Sequence, residues 1–354
     1  MTTLLSWMSD LAQDTGLDEA RTNAAPPIPA RELDLLLYAP CPVKLVMKAE
    51  MERAVPGAAL HVPMGCTSID PYDPLRDATD PDELPGVIAS IGFGDFWKHS
   101  FAERFVDTGV FQAMRPGRVN PLYEAAGLLD PGTPANPEGA YTIYGVTPYI
   151  FMVDEKLLDG LPAPRTWADL LDPRYKGRVV MCGDGDDMAD AVVLNIYKEF
   201  GASGVECLAA QSRCLMHSST MAKVAGTPEA KGGAIFVMPA FFAYSTKQPA
   251  HIRTIWPEDG AAASPLYFLA KRTEVARLTP VIDFLLGGFA AIPSAAWFAP
   301  QAVLDEPSPL PPEASLKWVG WDFIRNTDIN ALRDEMNGRF RSLHRQQQAG
   351  KCAS

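Results

Sequence analysis

The sequence predicts an α/β protein with two lobes, in which mostly parallel sheets are flanked by helices and a ligand cleft lies between the lobes. Short apolar runs at 35–39 and 86–92 are almost continuous, as in strands buried in a parallel sheet. A helix is predicted between them, over 43–54, after the Pro40-Cys41-Pro42 turn that places Pro42 at its first position. Strands that alternate with helices are typical of this fold class, and 354 residues suffice for two lobes.

Composition limits the classes of partner. The net charge is −12, which argues against nucleic acid or an anionic membrane surface as a partner, because both require basic protein surface. It does not argue against an anionic ligand, since a local site can oppose the overall field. No apolar run approaches the roughly 20 residues that cross a bilayer, so we expect no membrane insertion.

The first 32 residues are expected to form a leader and linker that allows one short amphipathic helix over 4–11. They contain no basic start, and Asp10 and Asp14 lie where the apolar core of a signal peptide would be. We therefore expect no signal peptide and a cytoplasmic location. If a leader is missing from the sequence, the expected location becomes the periplasm.

The stretch 141–181 is predicted to carry the chain from one lobe into the other. Residues 142–153 are rich in Tyr, Ile, Phe and Val and predict a strand. Thr166 is expected to open a helix, with Asp169 three residues later as an acidic capping partner. Pro173 ends this helix because proline disfavours the helical conformation of the residue before it. A short strand is predicted at 178–181.

The second lobe is predicted to contain a helix over 187–200 that ends at Gly201, strands at 214–217 and 234–238, and a helix from Ser219. A C-terminal helix is expected from the apolar spacing of Leu332, Met336, Phe340 and Leu343. The predicted organisation is a leader at 1–32, a first lobe formed by 33–145 with 253–345, a second lobe at 146–252, and a disordered tail at 346–354.

The segment PRTWADLLDPRYKGRV at 164–179 resembles the extracellular solute-binding proteins of ABC transporters, in particular their iron(III)-type branch. The opening strand 35–39, the IWPEDG turn at 255–260 and the helix 274–286 match the same family in the same order. The resemblance covers roughly 33–290. It implies a type II periplasmic-binding-protein fold, a small ligand or metal held between the lobes, and an ABC permease as partner.

The chain departs from that branch at the metal site. The resemblance implies that adjacent tyrosines of the second lobe bind iron, whereas the matching region here contains Phe241, Phe242 and a single Tyr244. Phenylalanine cannot ligate a metal. This departure argues against a ferric–tyrosinate site and directs attention to other ligands.

Cysteines are the strongest candidates for such ligands. Cys41, Cys66 and Cys182 each follow a predicted strand, and ligands of open α/β sheets bind beyond the carboxyl ends of the strands. Cys41 is expected at the N-cap of a helix, where the dipole stabilises a thiolate. Three thiolates would suit an iron–sulfur cluster or a soft metal ion such as Fe or Zn. The alternative is that these cysteines act as small buried hydrophobes.

Further candidate ligand-binding residues lie before two helices. Asp184 and Asp186 belong to a loop that, according to the resemblance, offers backbone N–H groups to an anionic ligand. Ser218 and Ser219 have hydroxyl groups that suit an oxyanion, and Tyr244 is the remaining tyrosine of the iron-type region. The alternative for Asp186 and Ser219 is a helix N-cap.

The leading hypothesis is therefore a binding protein without enzymatic activity. It would act in the cytoplasm as a receptor or carrier for a metal, an iron–sulfur cluster or a thiophilic metal complex, and serve an ABC permease or a metalloprotein client. The alternative is an exported ABC-transporter subunit that captures iron or a small anion. A second alternative is a Cys-dependent transferase, although no HExxH, Walker or GxGxxG motif is present.

Overall fold

A computed structural model describes residues 26–63, 70–183, 188–245, 249–303, 305 and 307–352. In this part of the chain, all strands join into one sheet. The strands are β1 Leu35–Leu37, β2 Leu60–His61, β3 Val87–Ile91, β4 Phe111–Gln112, β5 Tyr141–Asp154, β6 Val179–Met181, β7 Ser212–Leu215, β8 Ile235–Pro239, β9 Ile252–Ile255, β10 Ala261–Lys271 and β11 Leu316–Lys317.

Helices lie along both halves of the sheet. The α-helices are α1 Cys41–Ala54, α2 His99–Phe101, α3 Pro121–Ala126, α4 Asp190–Gln211, α5 Ser218–Val224, α6 Ala240–Ser245, α7 Thr279–Asp283, α8 Trp321–Asn326 and α9 Ile329–Cys352. Among the described residues, no helix combines the length and the apolar character needed to span a bilayer.

The sheet contains two sets of parallel strands that are joined by two long antiparallel ones. Its order is β2-β1-β3-β10-β5-β8-β6-β7. β1 runs parallel to β2 and β3, whereas β6 runs parallel to β7 and β8. β5 and β10 pair antiparallel between these sets. The predicted two-lobed α/β fold is confirmed, and β5 with β10 forms the connection between the lobes.

Strand β5 passes from the first lobe into the second. Its first half pairs only with β10, and from Tyr149 onward it also pairs with β8. Its start is held by the buried Asp130, whose Oδ2 accepts hydrogen bonds from the backbone N–H groups of Ala140 (2.8 Å) and Tyr141 (3.1 Å). The strand predicted over 142–153 is confirmed, and nearly all of its residues are buried.

Two segments that carry the family resemblance are in direct contact. Trp167 is buried, and its indole N–H donates to the carbonyl of Gly260 (2.8 Å). Its backbone N–H donates to the Asp259 carboxylate (3.2 Å). The predicted reciprocal cap is present, since Asp169 accepts from the N–H of Thr166 (2.9 Å) and donates its own N–H to the Thr166 hydroxyl (3.3 Å). The expected α-helix is instead a pair of short 3₁₀ turns, 169–171 and 173–175.

Two hydrophobic cores cover the sheet. One packs α1 and α7 against one face of the first lobe, and includes Leu37, Met47 and Ile282. The other continues along β5 into the second lobe, and includes Phe151 and Val192. The segment 95–106 consists of a 3₁₀ turn, α2 and a π-helical turn at 102–106, and it buries Phe96, Phe101 and Phe105.

Two long helices, α4 and α9, differ from the prediction. α4 does not end at Gly201 but kinks there, where Gly201 has φ 64° and ψ −166°. α9 continues to Cys352, so the tail predicted to be disordered from 346 is helical through that residue. The Asn337 side-chain amide on α9 donates to Asp190 on α4 (2.8 Å), and Arg339 forms an ion pair with Glu206. α9 therefore packs against helix α4. The predicted boundaries of the two lobes remain a prediction.

Candidate functional site

A cavity of about 200 Å³ lies at the carboxyl ends of the first-lobe strands. Its walls come from the residues that follow β1, β2 and β3, the location at which open α/β sheets bind ligands. Among the residues that line it are Tyr38, Cys41, Lys44, Asp73, Ser90 and Phe96.

Lys44 supplies positive charge to this cavity. It lies in the first turn of the 14-residue helix α1, and only 7% of its surface is exposed. Burial lowers the pKa of its ammonium group. The N-terminus of α1 adds partial positive charge, since N-cap Pro40 provides no side-chain cap. The Asp73 carboxylate in the same wall is engaged by the Tyr38 hydroxyl (3.2 Å) and the Asp70 N–H (2.9 Å).

Cys41 lines the cavity, as the sequence predicts, but in a different chemical state. It is the first residue of α1 rather than the N-cap, and it is disulfide-bonded. A sulfur atom in a disulfide is not a thiolate and does not act as a soft metal ligand. The predicted thiolate role of Cys41 is therefore wrong for this structure.

Cys182 directly follows β6, again as predicted, but it is 1% exposed and belongs to the large core. Its sulfur accepts a hydrogen bond from the Ser218 hydroxyl (3.2 Å). These contacts fit the alternative of a small buried hydrophobe better than a cleft ligand. Cys66 lies outside the described residues, and its role stays a prediction.

No group of three or more His, Cys, Asp or Glu side chains in the described part of the chain is arranged to hold a metal ion. Among the described residues, Cys41 is disulfide-bonded and Cys182 is buried, so neither offers the cleft thiolate that an iron–sulfur or zinc site would need. Asp184 and Asp186 also lie outside the described residues, and their anion-binding role stays a prediction.

The start of α5 is capped by His217 rather than by Ser219. The imidazole Nδ1 of His217 accepts a hydrogen bond from the Ser219 N–H (3.2 Å) and lies 2.7 Å from the Ser219 hydroxyl oxygen. Ser218 is buried and directs its hydroxyl to Cys182. Of the two predicted oxyanion donors, Ser218 is thus already engaged inside the lobe, whereas Ser219 is more exposed.

The region that would supply iron-binding tyrosines instead makes aromatic contacts with the segment 293–298. Tyr244 stacks on Trp297 with ring centroids 4.7 Å apart, and Phe241 packs on Phe298 at 5.7 Å. Burial raises the pKa of the Tyr244 hydroxyl, and nearby Glu313 raises it further. Both effects oppose formation of the tyrosinate that a ferric ion requires.

Lys44 was missed at the sequence level. It stands three residues after Cys41 in the segment APCPVK, which places both in the first turn of α1. A lysine in the first turn is unfavourable for the helix dipole, which prefers cations at the other end. A cation at this unfavourable position is the feature of the sequence that indicates a functional role for Lys44.

Comparison with known proteins identifies the family. The family model described as bacterial extracellular solute-binding protein matches residues 82–327. A comparison with curated protein sequences gave no match.

Several solved structures share the fold. Apo ferric ion-binding protein A from Pasteurella haemolytica aligns with a TM-score of 0.60 and 12% identity, covering 88% of this chain and 98% of that one. The ferric binding protein from Bordetella aligns with a TM-score of 0.56 and 12% identity, covering 87% and 98%. AfuA from Actinobacillus pleuropneumoniae, solved with exogenous fructose-6-phosphate bound, aligns with a TM-score of 0.56 and 16% identity, covering 88% and 98%.

At these identities the structural similarity establishes the fold, which is that of two-lobed type II periplasmic binding proteins. The comparisons support a solute-binding protein of the ABC-transporter type, and they support neither a cytoplasmic location nor a cysteine-held cluster. Since the family model spans well over half of its length, this chain belongs to the bacterial extracellular solute-binding protein family.

Proposed function

We propose that the chain is an exported substrate-binding subunit of an ABC transporter that captures a small anion. The observation that carries this proposal is the strand-end cavity of the first lobe with the buried ammonium group of Lys44. A cation and a helix N-terminus in one cavity favour negative charge in the ligand.

The proposal favours an anion over ferric iron. The segment that would provide iron-binding tyrosines contains Phe241 and Phe242, and the remaining Tyr244 is stacked on Trp297 with a raised hydroxyl pKa. A positive charge at Lys44 would also repel a bare metal cation. AfuA, which has the same fold, was solved with a sugar phosphate, and this supports phosphate-type anions as the first probes.

The disulfide at Cys41 supports export. Disulfides form and persist in oxidising compartments and are rare in the cytoplasm. Together with the extracellular character of the family, this favours the exported alternative over the cytoplasmic carrier predicted first.

Capture would involve closure of the second lobe on the ligand, with β5 and β10 acting as the connection that bends. The start of α5, with His217 and Ser219, would then present polar groups toward the first-lobe cavity. The loaded protein would deliver the anion to a permease, which is the partner that the family implies.

Isothermal titration calorimetry with sulfate, phosphate and fructose-6-phosphate tests this function, with ferric citrate as the competing ligand. Lys44→Met removes the charge and retains the apolar stem. Lys48→Met is the matched control, because Lys48 lies one turn later on α1 and pairs with Glu52 at the surface. We expect Lys44→Met to weaken anion binding about 10-fold to 100-fold, since hydrogen bonds to charged groups contribute about 1.5–3 kcal/mol.

The Lys48→Met variant should bind like the wild type. Tight binding of ferric ion without affinity for any of the anions would contradict the proposal. Equal weakening in both variants would assign the effect to overall charge rather than to the cavity.

A further inference from the structure

We infer that His61 tunes the affinity of the strand-end cavity for its anion, so that capture tightens when this histidine gains a proton. The inference rests on the proposed function and adds a second residue that controls the charge of the same cavity. His61 is the last residue of β2, and Pro63, two positions later, lines the cavity. Histidine is the side chain that changes its charge between about pH 5 and 8.

A chain of hydrogen bonds connects His61 to the cavity wall. Its imidazole Nε2 lies 2.8 Å from Oδ2 of Asp70, a residue that is only 7% exposed. The backbone N–H of Asp70 donates to Oδ2 of Asp73 (2.9 Å), and Oδ1 of Asp73 accepts from the Tyr38 hydroxyl (3.2 Å). Asp73 and Tyr38 both line the cavity. His61 is therefore a positioning residue that acts on the wall through Asp70.

The charges around the cavity explain why a proton on His61 affects the ligand. Lys44 contributes one positive charge, whereas Asp73 and the adjacent Asp70 contribute two negative charges. With a neutral His61 these three groups leave one negative charge, which opposes an anion. A proton on His61 offsets the charge of Asp70 at 2.8 Å. The field in the cavity then depends on Lys44, Asp73 and the positive end of the α1 dipole.

Two titratable side chains contact the imidazole in the part of the chain that the structure describes. One is Asp70, and the other is Tyr72, whose ring meets the imidazole edge-on with centroids 4.6 Å apart. Burial raises the pKa of the Tyr72 hydroxyl, so it stays neutral between pH 5 and 8. On β1 the neighbour of His61 is Leu36, and the sequence 64–69 has no Asp, Glu, Lys, Arg or His. Asp70 is thus the charge that a proton on His61 meets.

The expected effect is moderate. A unit charge within about 10 Å of a bound anion changes its affinity by about twofold to tenfold, depending on how strongly water and salt screen it. We therefore expect sulfate to bind about twofold to tenfold more tightly at about pH 5.5 than at about pH 8. Because coupling between two ligands is reciprocal, sulfate binding should also take up protons from the solution.

Two measurements on the full chain test the inference, with sulfate as the probe because it keeps its own charge over this pH interval. Isothermal titration calorimetry in chloride solution gives the affinity at both pH values. A pH-stat titration gives the number of protons taken up for each sulfate bound.

His61→Gln keeps a side-chain N–H donor beside Asp70 but cannot gain a proton. At both pH values it should bind sulfate with the weaker affinity that the wild type has at about pH 8, and the proton uptake should be lost. His251→Gln is the matched control. His251 also lies beside a buried carboxylate, that of Asp154 (3.9 Å), and its side chain is 21% exposed against 22% for His61. The control should keep the pH dependence of the wild type.

Sulfate affinity that does not change with pH in the wild type would overturn this inference and leave the proposed function intact. Proton uptake that persists in His61→Gln, for example at His217, would do the same. Absence of sulfate binding would overturn the inference, and the proposed function with it if phosphate and fructose-6-phosphate also fail to bind.

Nuclear magnetic resonance decides the question if His61→Gln does not fold. The chain has five histidines, so substitution of the other four identifies the imidazole C–H signal of His61 by elimination. Sulfate should shift the pH titration of this signal in the wild type toward higher pH, because the bound anion favours the protonated ring. A titration that sulfate leaves unchanged would overturn the inference.

Discussion

Asp130→Asn should destabilise the protein strongly, because one buried carboxylate holds the start of the strand that joins the lobes. Its Oδ1 accepts from the Gly132 N–H (3.0 Å) and from Arg325 (2.7 Å). Its Oδ2 accepts from the N–H groups of Ala140 (2.8 Å) and Tyr141 (3.1 Å) at the beginning of β5. Every one of these four groups is a donor.

Asparagine has one acceptor and one donor end, so either orientation directs its NH₂ group at two donors. The substitution loses two charge-assisted hydrogen bonds of about 1.5–3 kcal/mol each and weakens the pair with Arg325. Arg325 is 30% exposed, which reduces the contribution of that pair. We expect the free energy of unfolding to fall by about 3–5 kcal/mol.

Urea denaturation followed by tryptophan fluorescence measures this change. Asp305→Asn is the matched control, because Asp305 also pairs with an arginine, Arg118 (2.9 Å), but its side chain is 95% exposed. We expect a change within about 0.5 kcal/mol for this exposed pair. A loss in Asp130→Asn no larger than in the control would refute the role of Asp130 as the anchor of β5.

Three further predictions concern charge, redox state and backbone. Sulfate binding should weaken as the pH rises, below the pH at which an ordinary lysine titrates, because burial lowers the pKa of Lys44. Over the same pH interval the free energy of unfolding of the wild type should rise relative to that of Lys44→Met, because the unfolded chain binds more protons than the folded one. Calorimetric titrations with sulfate and urea denaturation, both at stepped pH, check the two effects. Iodoacetamide should label the exposed Cys207 of the native protein but reach Cys41 only after reduction, and labelling of unreduced Cys41 seen by mass spectrometry would contradict the disulfide. Gly260→Ala should lower the melting temperature more than Gly57→Ala. Both glycines have positive φ (94° and 87°), but a Cβ at 260 would lie 2.9 Å from backbone atoms, whereas a Cβ at 57 meets nothing within 4 Å. Equal shifts of the melting temperature in the two variants would contradict this reasoning.

The fold was predictable because its elements have strong local signals. Eleven of the 14 residues of β5 are apolar, aromatic, glycine or proline, and the prediction missed only its first and last residues. The reciprocal cap of Thr166 and Asp169 was also correct, since it depends on residues three apart. The helix beyond it was not, because Pro173 and the contacts of Trp167 with the turn at 259–260 hold the segment in short 3₁₀ turns.

The candidate site was predictable in position but not in chemistry. Cys41 and Cys182 both follow strands, as the alternation of elements implies. Whether a cysteine is bonded, buried or available depends on long-range contacts, such as that of Ser218 with Cys182 across 36 residues. The pairing of Asp130 with Arg325 could not be predicted either, because the two residues lie 195 positions apart in the chain.

Anomalous scattering from crystals soaked in selenate tests the central claim most directly, since selenate is an anion with the shape of sulfate that can be located without ambiguity. We predict a selenium peak in the first-lobe cavity, with selenate oxygens within hydrogen-bond distance of Lys44 Nζ, and loss of this peak in Lys44→Met but not in Lys48→Met. A wild-type cavity without selenium, or a peak that persists in Lys44→Met, would contradict an anion site built around this lysine.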